Sequence, residues 1–531
     1  MSLVQALLIA IVMGLLLTEN LGYGHIQISR PVFAGPIIGL LMGDLQTGLI
    51  VGGTVELMFM GVFPVGGSVP PNAQFAGMMS TVLAIASGSK PEVGIALAYP
   101  IGVFAQFVLL LDYNLNLVFI HGADRKIKEG NIDAVNSHLY MCVLGIFLTW
   151  TFSSFLGTYF GATWVESLYN TLPEFIRRGL SIAGGIMPAM GMAMLLKMMD
   201  FKKLWCFFAI GYVLSAYLGL SILAIAILSI AVVFAIYILG KKDDETEVED
   251  EVEDEVEEKS QIPQNSILTK KDLNRINLRS YLLAACLNYE RYQGLGYCYT
   301  ILPALKKLYK GDDLKEAVIR NTEFYNSHLW VNNIVVGVSV ALEEQRALGQ
   351  PITGQVISAT KAGLMGPLAG LGDSFFKGVV VTITGAFAAS LAIDGNPIAP
   401  FVFIIPNLII CILTKYYGTM YGYKFGTKVI MKLKKSNVIQ KLIDSSTIVG
   451  LMVAAGLVTN YVKISLTKVL NFGGKEIILD DLVNSLLPKL LPYAMVFLYY
   501  YIIKKFPKKG LYITLILTFV IGILGALFNI L

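Results

Sequence analysis

The stretch Lys361–Gly378, KAGLMGPLAGLGDSFFKG, narrows the folds open to this chain more than any other. It lies between apolar segments, yet its middle holds four glycines, Pro367 and Asp373. Glycine lets two backbones approach closely. Proline removes a donor and disfavours helix in the residue before it. The expectation is a helix broken at membrane depth, where unwound backbone survives only when packed in protein or lining a polar cavity. A carboxylate at that depth is costly and marks a functional site by default. The alternative is a tight loop between two ordinary spans, with Asp373 as a helix N-cap.

The rest of the chain decides the class. Of 531 residues, 55% are hydrophobic and 15% charged, against about 25% charged in a soluble domain. An all-α polytopic membrane protein with re-entrant or broken helices is expected. The cysteines Cys142, Cys206, Cys286, Cys298 and Cys411 form no CxxC pair and read as small buried hydrophobes. The apolar run Val4 to Leu17 has no basic region before it and no clear small-residue cleavage site after it, which argues against a cleaved signal peptide. The formal charge of +4 conceals an asymmetry. Residues 243–258, DDETEVEDEVEDEVEE, hold 12 of the 37 acidic residues and no basic one. The remainder is strongly basic, as cytoplasmic loops facing anionic lipid tend to be.

Residues 1–242 read as one membrane domain. Val4–Leu17 is short for a span, and a polar patch, Thr18–Pro31, follows it. Residues 31–77 are apolar but rich in Gly and Pro, and carry Asp44 and Glu56: a second place for broken helices with carboxylates at depth. Smoother apolar segments occupy 91–119, 138–160, 179–198 and 204–240, the last long enough for two segments meeting near Ser215 to Ser221. Residues 243–265 read as a flexible acidic linker, since like charges repel and stay solvated. Lys241, Lys242, Lys270 and Lys271 put both its ends in the cytoplasm. A second domain covers 266–531. Its first part, 266–351, has helical periodicity and ordinary charge density. Amphipathic helices on the cytoplasmic face are expected there, Leu329–Gly349 among them, with Thr269 as an N-cap. Membrane segments resume across 352–531, at 352–371, 377–393, 398–416, 445–461, 484–503 and 510–530. Alternating apolar residues around Gly473-Gly474 predict a small β-hairpin near 465–482. Basic stretches at 424–435 and 504–509 place that hairpin outside.

Familiar catalytic motifs are missing: there is no GxxxxGK(S/T), HExxH or GxSxG. The histidines His25, His121, His138 and His328 lack metal-ligand spacing and read as interfacial or hydrogen-bonded. No metal, cofactor, nucleic-acid partner or catalytic residue is expected. A polar path through the lipid bilayer then needs an ion gradient or a partner to drive it. Polar residues able to hold a solute are few. In the first half they are Gln27, Glu56 and Asn72, with Asp44 further back; in the second, Asn288, Glu290, Arg291, Gln293 and Asp373. Carboxylates and amides beside Tyr289, Tyr292 and Tyr297 suit a neutral polyhydroxyl ligand, whose hydroxyls need fixed donors and acceptors. The competing structural reading makes Glu290 and Arg291 surface charges, and Asp44 and Glu56 helix caps.

GDLQTGLIVGGTVELMFMG followed by PVGGSVPPNA resembles the IIC component of the mannose-family phosphotransferase system. LNYERYQGLGYCYTILPALKKLY, ALEEQRALG, KAGLMGPLAGLGDSFFKG and KYYGTMYGYKFG, in that order, resemble its IID component. The chain thus looks like a IIC–IID fusion joined by the acidic stretch, a departure from a family that more often encodes two chains. The resemblance implies a sugar permease of the bacterial cytoplasmic membrane. A hexose or amino-hexose would be carried inward and phosphorylated on release by a soluble IIB partner bearing a phosphohistidine, which IIA recharges. It also implies a homotrimer and an elevator-like motion of a core against a scaffold. Glu56, Asn72, Asn288, Glu290, Gln293 and Asp373 fall in the matching motifs and become the expected sugar-binding residues. Gln27 lies in a less closely matched patch, and Asn72 stands where some relatives have Asp. These residues are expected to converge on one sugar near the membrane midplane, as in transporters built from broken helices. Two other classes stay open: an ion-coupled secondary transporter or channel using Asp44, Glu56 and Asp373, and a non-transporting receptor scaffold.

Overall fold

The computed structural model describes residues 1–62, 69–88, 90–161, 171, 173–199, 201–239, 266–426, 438–472, 475–507 and 509–531. The acidic linker 243–265, the PVGGS segment at 64–68, most of the basic stretch 424–435 and Gly473-Gly474 lie outside the described residues. Among those described, 7 helices are long and apolar enough to cross a membrane, or up to 8 if one bent pair is a single span. The protein is a polytopic, nearly all-helical membrane protein.

Helix α1 (Leu3–Leu21) leads through a loop into two short helices, α2 (Pro31–Met42) and α3 (Leu45–Phe59). Between them the chain reverses at Gly43, whose φ of +82° suits glycine. Asp44 caps α3, its carboxylate accepting from the Thr47 N–H at 2.9 Å and the Thr47 hydroxyl at 2.7 Å. At about 1.5 Å per residue neither helix crosses a hydrocarbon core of about 30 Å. The pair packs as an antiparallel helical hairpin within residues 31–77. The two helices close almost to backbone contact: a Cβ at Gly48 would lie 2.9 Å from the Gly39 Cα. Helices α4 (Ala73–Ala86), α5 (Pro91–Lys128) and α6 (Ala134–Leu156) complete this bundle. There follow α7 (Glu174–Ile186), α8 (Pro188–Met198), α9 (Phe201–Tyr212) and α10 (Ile222–Leu239). The segment 204–240 is two helices, as its length suggested, parting at Gly219 with φ +64°.

The second half opens with α11 (Lys270–Arg279), on which Thr269 and Asp272 form a capping box. Next come α12 (Gly294–Leu308), α13 (Gly311–Asn321) and α14 (Asn332–Ala347). Helix α14 departs from the expectation of an amphipathic surface helix at Leu329–Gly349, because it is buried on all sides as far as Glu344. Its polar residues are satisfied inside. Glu343 accepts from Arg320 at 2.8 Å, Asn321 at 2.8 Å and Tyr309 at 2.9 Å, and Glu344 from the Leu268 N–H at 2.7 Å. Charge in a helical sequence signals a polar partner, and here the partner is protein instead of water.

The opening stretch also departs from expectation. Helix α15 (Gly354–Gly372) passes through a π-helical segment, Asp373–Val381, directly into α16 (Thr382–Ile393), giving one apolar helix of 40 residues. The irregularity that glycine and Pro367 predicted is taken up as a π-bulge, which keeps the backbone donors satisfied, with no unwound break. The chain ends with α17 (Ala399–Phe425), α18 (Val438–Tyr461), an antiparallel strand pair β1 (Val469–Phe472) and β2 (Lys475–Ile478), and α19 (Leu479–Leu486), α20 (Leu490–Lys505) and α21 (Gly510–Leu527). Helices α19 and α20 are the bent pair, at 74°.

The two halves are interleaved. One apolar core joins Val32, Ile120 and Cys142 to Leu283, Tyr297 and Phe403; another joins Val55, Tyr99 and Met190 to Ala386, Leu457 and Tyr499. Helix α7 packs on α21, α8 on α20, α9 on α18 and α3 on α16. Between membrane helices such contacts act through close van der Waals packing, so small residues sit at the seams. A Cβ at Gly53 of α3 would lie 2.9 Å from the Ala389 carbonyl of α16.

Candidate functional site

The site is built outward from Glu19, a wholly buried residue in the last turn of α1. Its carboxylate accepts from the Gln27 N–H at 2.9 Å, the Ser29 N–H at 3.3 Å and the Ser29 hydroxyl at 3.0 Å. These bonds tie down a loop in which Gly24, His25 and Gln27 all have positive φ. Held this way, the loop delivers Arg30 to the start of α2, where its guanidinium meets Glu56 of α3. Arg30 Nε donates to Glu56 Oε1 at 3.0 Å, Nη2 donates to the same oxygen, and the Val32 N–H approaches Oε2 at 3.4 Å. The side chains are 9% and 1% exposed, so this ion pair is buried. Removing one member of such a pair costs about 3–5 kcal/mol. The pair abuts the second half of the chain: a Cβ at Gly385 of α16 would lie 3.1 Å from Glu56 Oε1.

Of the residues expected to bind solute, Glu56 is paired with Arg30, and Gln27 lies in the loop leading to Arg30, held by its backbone N–H on Glu19. Asn72 does not join this pair directly. Its Oδ1 caps α4 by accepting from the Phe75 N–H at 2.8 Å, and its N–H donates to the Gly102 carbonyl at 2.9 Å. In the second half, Leu287 receives the Asn116 amide at 2.9 Å. Positions 102 and 116 of α5 lie about 21 Å apart along the helix. Asn72 and the segment leading into Asn288 thus sit at different levels of the bundle.

Asn288 uses its side chain to shape its own loop. Oδ1 accepts from the Glu290 and Arg291 N–H groups at 2.9 and 2.8 Å, and Nδ2 donates to the Cys286 and Tyr292 carbonyls at 2.8 and 3.0 Å. Gln293 locks to Ser327, donating to its carbonyl at 3.1 Å and accepting from its N–H at 3.3 Å. Glu290 lies apart, half-exposed, 2.7 Å from His121 on α5; that hydrogen bond holds its carboxyl below the usual range. Arg291 pairs with Asp124 at 2.8 Å. These contacts clamp the second half onto α5. They put Glu290 at a surface seam, nearer to the reading of Glu290 and Arg291 as surface charges.

Asp373 opens the π segment and lies 3.5 Å from Lys377 one turn on; among the described contacts it makes no cap hydrogen bond. Its neighbour Phe376 stacks on His328, with ring centres 5.6 Å apart, and meets Trp330 edge-on at 5.3 Å. The Trp330 indole N–H donates to the His25 carbonyl at 3.0 Å. The Lys361–Gly378 stretch thereby reaches the same loop that carries Gln27 and Arg30. Glu19, Arg30, His25, His328 and Trp330 escaped the sequence reading of the site. Arg30 offered one signal, as a lone basic residue directly before an apolar helix that carries no charge of its own.

Comparison with known proteins agrees with this two-part architecture. A family described as "PTS system mannose/fructose/sorbose family IID component" matches residues 267–531, and one described as "PTS system sorbose-specific iic component" matches residues 3–237. The fructose permease IID component of Bacillus subtilis (strain 168) is 38% identical over 265 residues, covering 49% of this chain and 95% of that relative. The mannose-specific EIID component of Escherichia coli (strain K12) is 36% identical over 243 residues, covering 44% of this chain and 86% of the relative. The mannose-specific EIIC component of the same organism is 31% identical over 206 residues, covering 38% of this chain and 76% of the relative. With a IIC component matched before residue 240 and a IID component after residue 266, this chain belongs to the mannose/fructose/sorbose family of phosphotransferase-system permeases as a IIC–IID fusion.

Proposed function

We propose that this protein carries a hexose or amino-hexose inward across the bacterial cytoplasmic membrane, and that a separate IIB protein bearing a phosphohistidine phosphorylates the sugar as it is released. IIA recharges IIB, and the working unit is a homotrimer. The observation that carries the reading is the buried Arg30–Glu56 pair of the first component, which lies at the seam where α3 meets Gly385 of α16 in the second. Around it, Gln27, Glu56 and Asp373 contact the sugar, while Asn288 and Gln293 fix the loops that shape the site. Asn72 enters from the α4 cap when the bundle shifts, and Glu290 serves the seam with α5. A neutral sugar suits such a site because its hydroxyls both donate and accept.

The test uses membrane vesicles containing the protein, supplied with IIA, IIB, the general phosphocarrier proteins and phosphoenolpyruvate. The panel is mannose, glucose, glucosamine, fructose, sorbose and an N-acetylhexosamine. Phosphorylation of at least one sugar, requiring IIB and persisting with an uncoupler, is expected. Uptake that proceeds without IIB and collapses with the uncoupler refutes the proposal in favour of ion coupling.

A further inference from the structure

Lys415 of α17 is a buried charge outside the site described so far. It is 1% exposed and lies about 13 Å along the helix from Lys424, at its basic end. Among the described residues no carboxylate pairs with it. The ammonium faces oxygen atoms and a ring instead. Its Nζ donates to the Ser280 carbonyl at 3.2 Å, the Ser280 hydroxyl at 3.3 Å and the Asn333 Oδ1 at 3.5 Å, and lies 4.8 Å from the centre of the Tyr281 ring. An ammonium has three N–H groups, and these are three acceptors. The surrounding bonds keep lone pairs turned inward. Ser280 gives its own hydroxyl hydrogen to the Asn277 carbonyl at 2.7 Å, and the Asn333 Nδ2 donates to the Ser280 Oγ at 3.0 Å and the Thr419 Oγ1 at 2.9 Å. Burying a charge is costly unless its lost hydration is replaced. Here oxygens and a ring face replace it, much as carbonyl oxygens replace an ion's hydration shell in a channel filter. The residues of this cage also hold the loop of residues 22–30. The Tyr281 carbonyl accepts from the Gly24 N–H at 2.9 Å, and Trp330, just before Asn333, donates to the His25 carbonyl at 3.0 Å. That loop delivers Arg30 to Glu56. Ser280 further opens the 3₁₀ segment Ser280–Cys286, whose last carbonyl accepts from Asn288 at 2.8 Å.

We propose that Lys415 is a built-in cation, its ammonium filling an oxygen cage fitted to a primary ammonium group, and that this cage in the second component positions the loop that carries Arg30 in the first. Lys415 is a positioning residue and does not touch the sugar. The consequence for transport rests on the permease reading; the cage does not. With the ammonium gone, the Ser280 carbonyl, the Ser280 hydroxyl and the Asn333 amide oxygen lose a shared donor in a place water does not reach, and the segments they belong to are no longer held to α17 through it. Truncation to Ala removes Cγ, Cδ, Cε and Nζ. Those are the heavy atoms of n-propylammonium, so the truncated cage has a soluble ligand of matching length and charge.

The experiment compares the full-length protein with Lys415→Ala and Lys415→Met, by thermal unfolding of the purified proteins and by sugar phosphorylation in vesicles supplied with IIA and IIB. Both variants are expected to lower phosphorylation about 10-fold or more. n-Propylammonium chloride should restore most of the activity and of the unfolding temperature of Lys415→Ala. Methylammonium, which leaves part of the space empty, and n-butylammonium, which overfills it, should restore less. Tetramethylammonium has no N–H and should restore nothing. Lys415→Met fills the space with an apolar stem, so no amine should change it; the wild type should be equally indifferent. If Lys415→Ala unfolds in plain buffer, purification with n-propylammonium present should recover it. A Met variant with wild-type stability and activity overturns the proposal. So does an Ala variant that n-propylammonium leaves unchanged or that tetramethylammonium restores equally well. Recovery of the unfolding temperature without recovery of phosphorylation overturns the positioning role. A wild type that phosphorylates no sugar of the panel overturns the permease reading itself, while the thermal response of Lys415→Ala to n-propylammonium still decides the cage.

Discussion

Splitting the Arg30–Glu56 pair tests whether the seam between the components is a coupled charge site. Glu56 is 1% exposed, its carboxylate accepts from the guanidinium and the Val32 N–H, and α16 closes over it at Gly385. Removing one partner strands the other charge where water does not reach it. A loss of about 3–5 kcal/mol is expected for Arg30→Met or Glu56→Gln alone, more than a hundredfold in the folding equilibrium. The double variant removes both charges, so its loss should fall well short of the sum, with a coupling of about 1–3 kcal/mol. Thermal unfolding of the four detergent-purified proteins measures the cycle, and vesicle phosphorylation of sugar measures function alongside. Transport should fail in all three variants, since each disturbs Glu56, while the double variant is at least as stable as the worse single one. Losses that simply add would show that the two groups act independently and would refute the reasoning.

Other outcomes follow from particular contacts. Asp373→Ala should lower sugar uptake about 10- to 100-fold while the protein stays in the membrane; normal uptake, measured with labelled sugar, removes Asp373 from the site. Gly48→Leu should prevent close approach of α2 and α3, since even a Cβ there would lie 2.9 Å from the Gly39 Cα; a purified variant with wild-type thermal stability contradicts that packing. Glu290 has its carboxyl held below the usual range by His121. Its stabilising contribution is therefore present above the ordinary carboxylate value and is lost as pH falls through the folded value. Thermal unfolding against pH, compared with Glu290→Gln, should show the wild-type advantage shrinking as acid is added; an advantage that grows in acid reverses the sign and refutes the pairing.

Much of the architecture was legible because it rests on local sums. The carboxylates Asp44, Glu56 and Asp373 stood out as charges inside apolar runs, and the break near Ser215 to Ser221 followed from a segment longer than one span. The errors have a common cause. Glycine and Pro367 announce irregular backbone but do not specify its form, and here it is a π segment within one continuous helix. The charges of α14 announced polar partners, and Arg320, Asn321 and Tyr309 supplied them in place of solvent.

Composition and order of segments determine that this chain is a multi-pass membrane protein made of two components, because hydropathy and motif are properties of neighbouring residues. Tertiary structure alone decides which distant groups meet. Arg30 finds Glu56 across 26 positions, and Asn116 finds Leu287 across 171. Two of the apolar cores draw on both halves, so the components on either side of the acidic join pack into one another. Burial then assigns the roles: it turns Glu56 into a paired charge at a seam and sets Glu290, equally acidic in sequence, at the edge.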